Sequence, residues 1–121
     1  MADMKNRPEG GALGFVETLG LVAAIEVADA MGKAARVQVK TVCNADAGLL
    51  SVVCEGGLAA CSAAVDAGKA AATRMDRLLG SNVIARPYPD THELVTSRIP
   101  PMFQVLKAPA NKTAKGKRKG K

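Results

Sequence analysis

The side chains able to do acid–base, nucleophilic or metal chemistry are few, and their spacing assembles none of the usual sets. The single histidine, His92, lies in the run Asp90-Thr91-His92-Glu93. That spacing fits a helix start with an acid at its third position, so His92 is expected to be exposed in a capping turn rather than to act as a base. Cys43, Cys54 and Cys61 are odd in number and lack CxxC spacing, which disfavours a disulfide framework and a zinc site. Buried reduced thiols acting as small hydrophobes are the expected state. Gly10-Gly11 and Gly56-Gly57 form neither a GxGxxG run nor a phosphate-binding loop. Glu17 and Glu26 are separated by a turn and part of a helix, with no sign that they converge as an acid pair. The sequence therefore predicts no catalytic residue, no metal site and no cofactor.

Charge is the remaining chemistry, and it is unevenly placed. The formal net charge is +6 over 121 residues. Lys107, Lys112, Lys115, Lys117, Arg118, Lys119 and Lys121 account for +7 of it without a neighbouring acid, so the rest of the chain carries −1. A basic tail of this kind either stays a solvated extension or holds nucleic acid through its phosphates, without reading sequence. Base stacking on a sheet is disfavoured, because the chain has no Trp, one Tyr and two Phe. The first residues, MADMKNRPEGG, lack the apolar segment of a secretory signal, and no apolar run approaches membrane-spanning length. A cytoplasmic chain without a membrane partner is expected.

The elements that must position these side chains follow from periodicity. Residues 1–11 read as a polar leader. An extended run at 12–18 gives way at Gly20 to helical spacing over 21–34, with Leu21, Ile25 and Ala28 on one side and Glu26, Asp29 and Lys33 on another. Asp29 and Lys33 stand four apart, acid first, the order that supports an exposed helix face. Residues 36–43 alternate, placing Val37, Val39, Thr41 and Cys43 on one face. Asn44, Ala45, Asp46, Ala47 and Gly48 interrupt the alternation as a polar loop, and 49–54 resume it, which predicts a hairpin. A second helix is predicted over 58–77, its stripe of Leu58, Cys61, Val65, Gly68, Ala72 and Met75 approaching a sheet at Gly68, with Gly80 as its stop. A last strand at 82–86 ends before Pro87 and Pro89, and a short helix starting at Asp90 runs to Val95. From Lys107 the tail lacks apolar periodicity and is expected to be disordered. The fold class is thus α+β, a ferredoxin-like β-α-β-β-α-β order with an appended short helix and a basic tail.

With the elements placed, the residues resemble the bacterial microcompartment (BMC) domain family of shell proteins. The resemblance is carried by Ala12-Leu13-Gly14-Phe15-Val16-Glu17-Thr18, Ala23-Ala24-Ile25-Glu26, Asp29-Ala30-Met31 with Lys33, Asp66-Ala67-Gly68 and Ile84-Ala85-Arg86-Pro87. It spans about 12–95 and implies a shell domain over 12–98, which the leader at 1–11 and the disordered tail at 99–121, both read from composition, flank. It also implies a structural protein rather than an enzyme: a cyclic homohexamer that tiles, with other shell proteins, the wall of a cytoplasmic protein compartment around encapsulated enzymes. Lys33, with Asp29 beside it, and Arg86 would then pack one hexamer against the next. Asn44, Ala45, Asp46, Ala47 and Gly48 would border a central pore for small metabolites. Six Asp46 carboxylates near the axis would repel one another and disfavour anions, whereas an outward Asp46 would only shape the loop. Leu19 stands where relatives often carry a basic residue, and Tyr88 where many have histidine. The long Lys-rich tail is unusual for the family pattern and suits an acidic partner or nucleic acid. A ferredoxin-like nucleic-acid module acting through that tail is the alternative reading.

Overall fold

The computed structural model describes residues 11–99, with the backbone alone described at 41–46. The leader at 1–10 and the tail from residue 100 lie outside the described residues, and with them the expectations placed there.

Eight elements follow the predicted order. β1 (Ala12–Leu19) leads into α1 (Leu21–Ala34), the hairpin of β2 (Gln38–Asp46) and β3 (Leu49–Gly56), α2 (Leu58–Arg74) and β4 (Leu78–Ile84). A short α3 (Pro89–Glu93) continues without a break into a π-helical turn, Leu94–Arg98. The strands form one sheet in the order β2-β3-β1-β4, antiparallel at every pairing. This is the arrangement that two split βαβ units produce.

Alternation along β1 gives the sheet two different faces. Ala12, Gly14, Val16 and Thr18 are buried, and Ala12 and Val16 join Val27 and Met31 of α1, Val52 and Cys54 of β3, and Cys61, Ala64 and Val65 of α2 in the main core. Both long helices lie on this face. The opposite face carries a smaller cluster in which Leu13 and Val53 pack with Val95 of the π-helical turn, flanked by Phe15. Thr18 is buried and its hydroxyl donates to the Leu50 carbonyl at 3.4 Å, which satisfies a polar group that would otherwise be costly inside the core.

Small residues bring the layers close. A Cβ on Gly14 would stand 2.7 Å from Val65 Cγ2 and 2.9 Å from Cys54 Sγ, so α2 rests almost directly on β1 there. Gly68, expected to approach the sheet, instead meets the other helix. A Cβ on it would lie 2.9 Å from Met31 Cγ and 3.1 Å from Val27 Cγ1. α1 also turns a different side inward than its spacing suggested. Ala23, Ala24, Val27 and Met31 are buried, whereas Leu21 and Ile25 are exposed.

Element ends shift for identifiable reasons. α2 stops at Arg74 rather than near Gly80, because Asp76 takes a left-handed φ of 60° and the Arg77 N–H reaches back to the Ala72 carbonyl at 2.9 Å. That is a Schellman closure with Asp in place of the usual glycine. β4 consequently begins at Leu78 and includes Gly80. α3 begins with Pro89 at its first turn, where a missing N–H costs nothing, so Asp90 lies inside the helix and does not cap it.

Candidate functional site

The candidate pore segment is shorter than predicted. Asn44, Ala45 and Asp46 belong to β2, with Asn44 opposite Leu50 and Asp46 opposite Leu49, and only Ala47 and Gly48 form the turn. Their φ angles are 54° and 85°. Two positive values in a two-residue connection match the right-handed twist of the flanking strands, which is why the hairpin can close so tightly. The register shifts between Asn44 and Asp46, so Ala45 is the extra residue of a bulge and accommodates turn-forming residues within the strand. A second shift, at Lys40, breaks the alternation read from the sequence: Val39 stands opposite Cys54, but Thr41 and Cys43 stand opposite Val53 and Ser51.

Ala47 and Gly48 are exposed at the tip, yet the tip is braced. The Gly48 carbonyl accepts a hydrogen bond of 2.8 Å from the Gly20 N–H, at the junction of β1 and α1. Gly20 adopts φ 99° and ψ 151°, a conformation open to glycine and little else. One residue earlier, the Leu19 N–H donates to the Arg77 carbonyl at 3.0 Å. The β1–α1 junction is therefore hydrogen-bonded to both the hairpin tip and the α2–β4 turn at one end of the sheet, and the hairpin tip is fixed by the start of α1. Sequence reasoning found the tip but not its brace; the punctuating Gly20 was the available signal.

The candidate edge residues separate into a pair and a single cation. Lys33 Nζ lies 2.8 Å from Asp29 Oδ2, with both side chains largely exposed. The hydrogen bond that Lys33 donates to Asp29, followed by the charge of Asp29, raises the Lys33 pKa above its ordinary value. Exposed pairs of this kind contribute little to folding, so Lys33 can exchange Asp29 for another acceptor at small cost. Arg86 is exposed in the bend after β4, and among the described residues no ion pair joins it to Asp29. On the same outward side of α1 as Asp29 and Lys33, at helical spacing, stand Val22, 71 % exposed, and Ile25, 54 % exposed.

Residues suspected of chemistry are otherwise engaged. Cys54 and Cys61 are free, fully buried thiols with their sulfurs 4.0 Å apart. Burial, and then the neighbouring Cys61 thiol, push Cys54 up to about 12; burial also raises Cys61. Thiols held protonated in this way are poor nucleophiles. His92 is not exposed as expected: its side chain is 17 % accessible, and Nε2 lies 2.7 Å from Glu55 Oε2. Among the described residues no cluster of three His, Cys, Asp or Glu could hold a metal, and no helix is long and apolar enough to cross a membrane.

Comparison with known proteins gives one consistent result. The BMC domain family model matches residues 12–87. The chain is 51 % identical over 83 residues to the bacterial microcompartment shell protein EutM of Salmonella typhimurium, covering 69 % of this chain and 86 % of that one. It is 53 % identical over 85 residues to the shell protein EutK of Escherichia coli, covering 70 % of this chain but only 51 % of EutK. Among solved structures, a microcompartment protein from Desulfitobacterium hafniense superposes with a TM-score of 0.66 at 28 % identity, over 75 % of this chain and 49 % of that one.

Proposed function

The chain belongs to the BMC domain family of bacterial microcompartment shell proteins, and from that membership we propose that it assembles into flat homohexameric tiles, each with a central pore for small metabolites, in the shell of such a compartment. It is a structural protein, not an enzyme. The observation that carries the hexameric reading is apolar surface left uncovered on a single chain. Val22 and Ile25 on α1, Leu58 at the start of α2 and Leu79 on the edge strand β4 are each more than half exposed. Among the described residues, the outer edges of β2 and β4 also lack a strand partner. Exposed apolar residues and open edges are what a subunit presents to its neighbours.

In this reading the Ala47-Gly48 turn, with Asn44, Ala45 and Asp46 leading into it, borders the pore, and its brace to Gly20 supports a rim of fixed shape. Six copies of Asp46 near the axis favour cations and disfavour anions. Lys33, Asp29 and Arg86 serve contacts between hexamers. Encapsulated enzymes and other shell proteins are the further partners, and the seven cations from Lys107 to Lys121 provide a place for an acidic partner or nucleic acid. Electron microscopy of the purified chain tests the proposal. Six-fold rings, flat sheets or tubes are expected, and a monomer under every condition tried would refute it.

A further inference from the structure

The sheet face away from α1 and α2 holds an ionic arrangement that shell assembly leaves unexplained. Glu55, near the end of β3, has a side chain only 11 % exposed. Its two oxygens are claimed by different elements: Oε2 lies 2.7 Å from His92 Nε2 on α3, and Oε1 lies 3.4 Å from Lys40 Nζ on β2. Lys40 is the residue left over at the β2 bulge, and re-aiming one side chain is what such a bulge does. Val95, three residues after His92, supplies the apolar contact to Leu13 and Val53. The Thr96 hydroxyl donates to the His92 carbonyl at 2.9 Å, and the Ile99 N–H to the Leu94 carbonyl at 3.0 Å, which makes one continuous unit of this segment. Leu94, Glu93 and Arg98 point to solvent, the last two paired at 3.6 Å. Residues 89–99 are therefore fastened by one buried valine and one histidine.

We propose that residues 89–99 form a strap that opens and closes over the Leu13, Phe15 and Val53 face of the sheet, with the Glu55 carboxylate as its catch and the charge of His92 setting how firmly it closes. An imidazolium facing a carboxylate makes a charge-assisted bond, whereas a neutral imidazole makes an ordinary one in one tautomer only. The groups around His92 permit this. β3 presents Glu55 and β2 presents Lys40. β1 offers apolar Leu13 and Phe15, with its one acid, Glu17, farther along opposite Ser51. On the strap itself, Asp90 and Glu93 are exposed. Closure is therefore firmer with a charged imidazole against the Glu55 carboxylate than with a neutral one.

Amide hydrogen exchange on the full chain tests this at pH 8 and pH 6, corrected for intrinsic exchange, with the amides of β1 and β3 as reference in the same sample. Protection at Val95, Thr96 and Ile99 is expected to rise about fivefold at pH 6, the difference between a charged and a neutral hydrogen bond, with β1 and β3 unchanged. His92→Gln, which keeps a donor but cannot take up charge, is expected to abolish the rise, and Glu55→Gln likewise. Equal protection of the strap at both pH values in the unaltered chain would overturn the proposal. So would a rise that persists in both variants.

Discussion

Replacing Gly14 with alanine tests how closely α2 is laid on the sheet. The new Cβ would sit 2.7 Å from Val65 Cγ2 and 2.9 Å from Cys54 Sγ. Neither neighbour yields easily: a valine in a helix has one favoured rotamer, and the Cys54 sulfur is already packed against Cys61. Relief requires lifting α2 or forcing Val65 off its rotamer, an overpacking cost of about 1–3 kcal/mol. Alanine recovers about 0.5–1 kcal/mol over glycine inside a strand. Taking the middle of each range, the net loss expected is about 1 kcal/mol, or about 4–8 °C in Tm for a domain of this size. Val65→Ala alone is expected to cost about 2 kcal/mol through lost burial and a cavity. Because the same substitution removes the obstructing methyl, the double variant should be more stable than the sum of the two by about 1 kcal/mol or more. Urea unfolding followed by circular dichroism, at one protein concentration so that assembly contributes equally, measures all four proteins. A Gly14→Ala chain as stable as the original, or strictly additive losses in the double variant, would refute the close approach.

Three other outcomes follow. Lys33→Ala should leave hexamers intact by native mass spectrometry while electron microscopy shows no extended sheets; loss of the hexamer itself would place Lys33 within a tile rather than between tiles. Asp46→Ser should raise the passage of small anions relative to cations through assembled shells, and unchanged selectivity would mean that Asp46 faces away from the axis. Cys54 gives a pH dependence of definite sign. Its thiol stays protonated in the folded chain up to about pH 12, whereas an unfolded cysteine ionises near pH 8.5. The folded state thus binds more protons in between, and stability falls as pH rises across that window. From pH 8 to pH 10 the native chain should lose about 1–2 kcal/mol more than a Cys54→Ala variant, measured by denaturant midpoints. An equal loss in both would contradict the burial of that thiol.

The order of elements was legible because each reports itself locally, by two-residue alternation in the strands and helical spacing in α1 and α2. What escaped depended on partners distant in sequence or on exceptions to residue preference. Glu55 is 37 residues from His92, so nothing near the histidine announced that it would be drawn inward. Asp76 occupies a left-handed position that usually belongs to glycine, and the search for a glycine carried the expected helix end on to Gly80. Asn44 and Asp46 are turn formers by composition, yet the bulge at Ala45 and the two positive φ values that follow keep them in the strand. Leu21 and Ile25 were grouped as a side of α1 by their apolar character. The chain buries alanines, Val27 and Met31 in their place, and leaves Leu21 and Ile25 outside, where the proposed assembly would cover them.

The hydrogen bond between Gly20 and Gly48 would give α1 a mechanical part in the proposed assembly. The helix begins where the hairpin tip is tied down and ends beside Lys33, fourteen residues on, a length of about 21 Å at 1.5 Å per residue. In the proposed ring of six it would be a spoke, with the hub at Gly20 and the outer rim at Lys33. Strain arriving at a seam between rings would travel inward along a rigid rod to the aperture, so the tightness of the lattice and the width of its openings would be adjusted together.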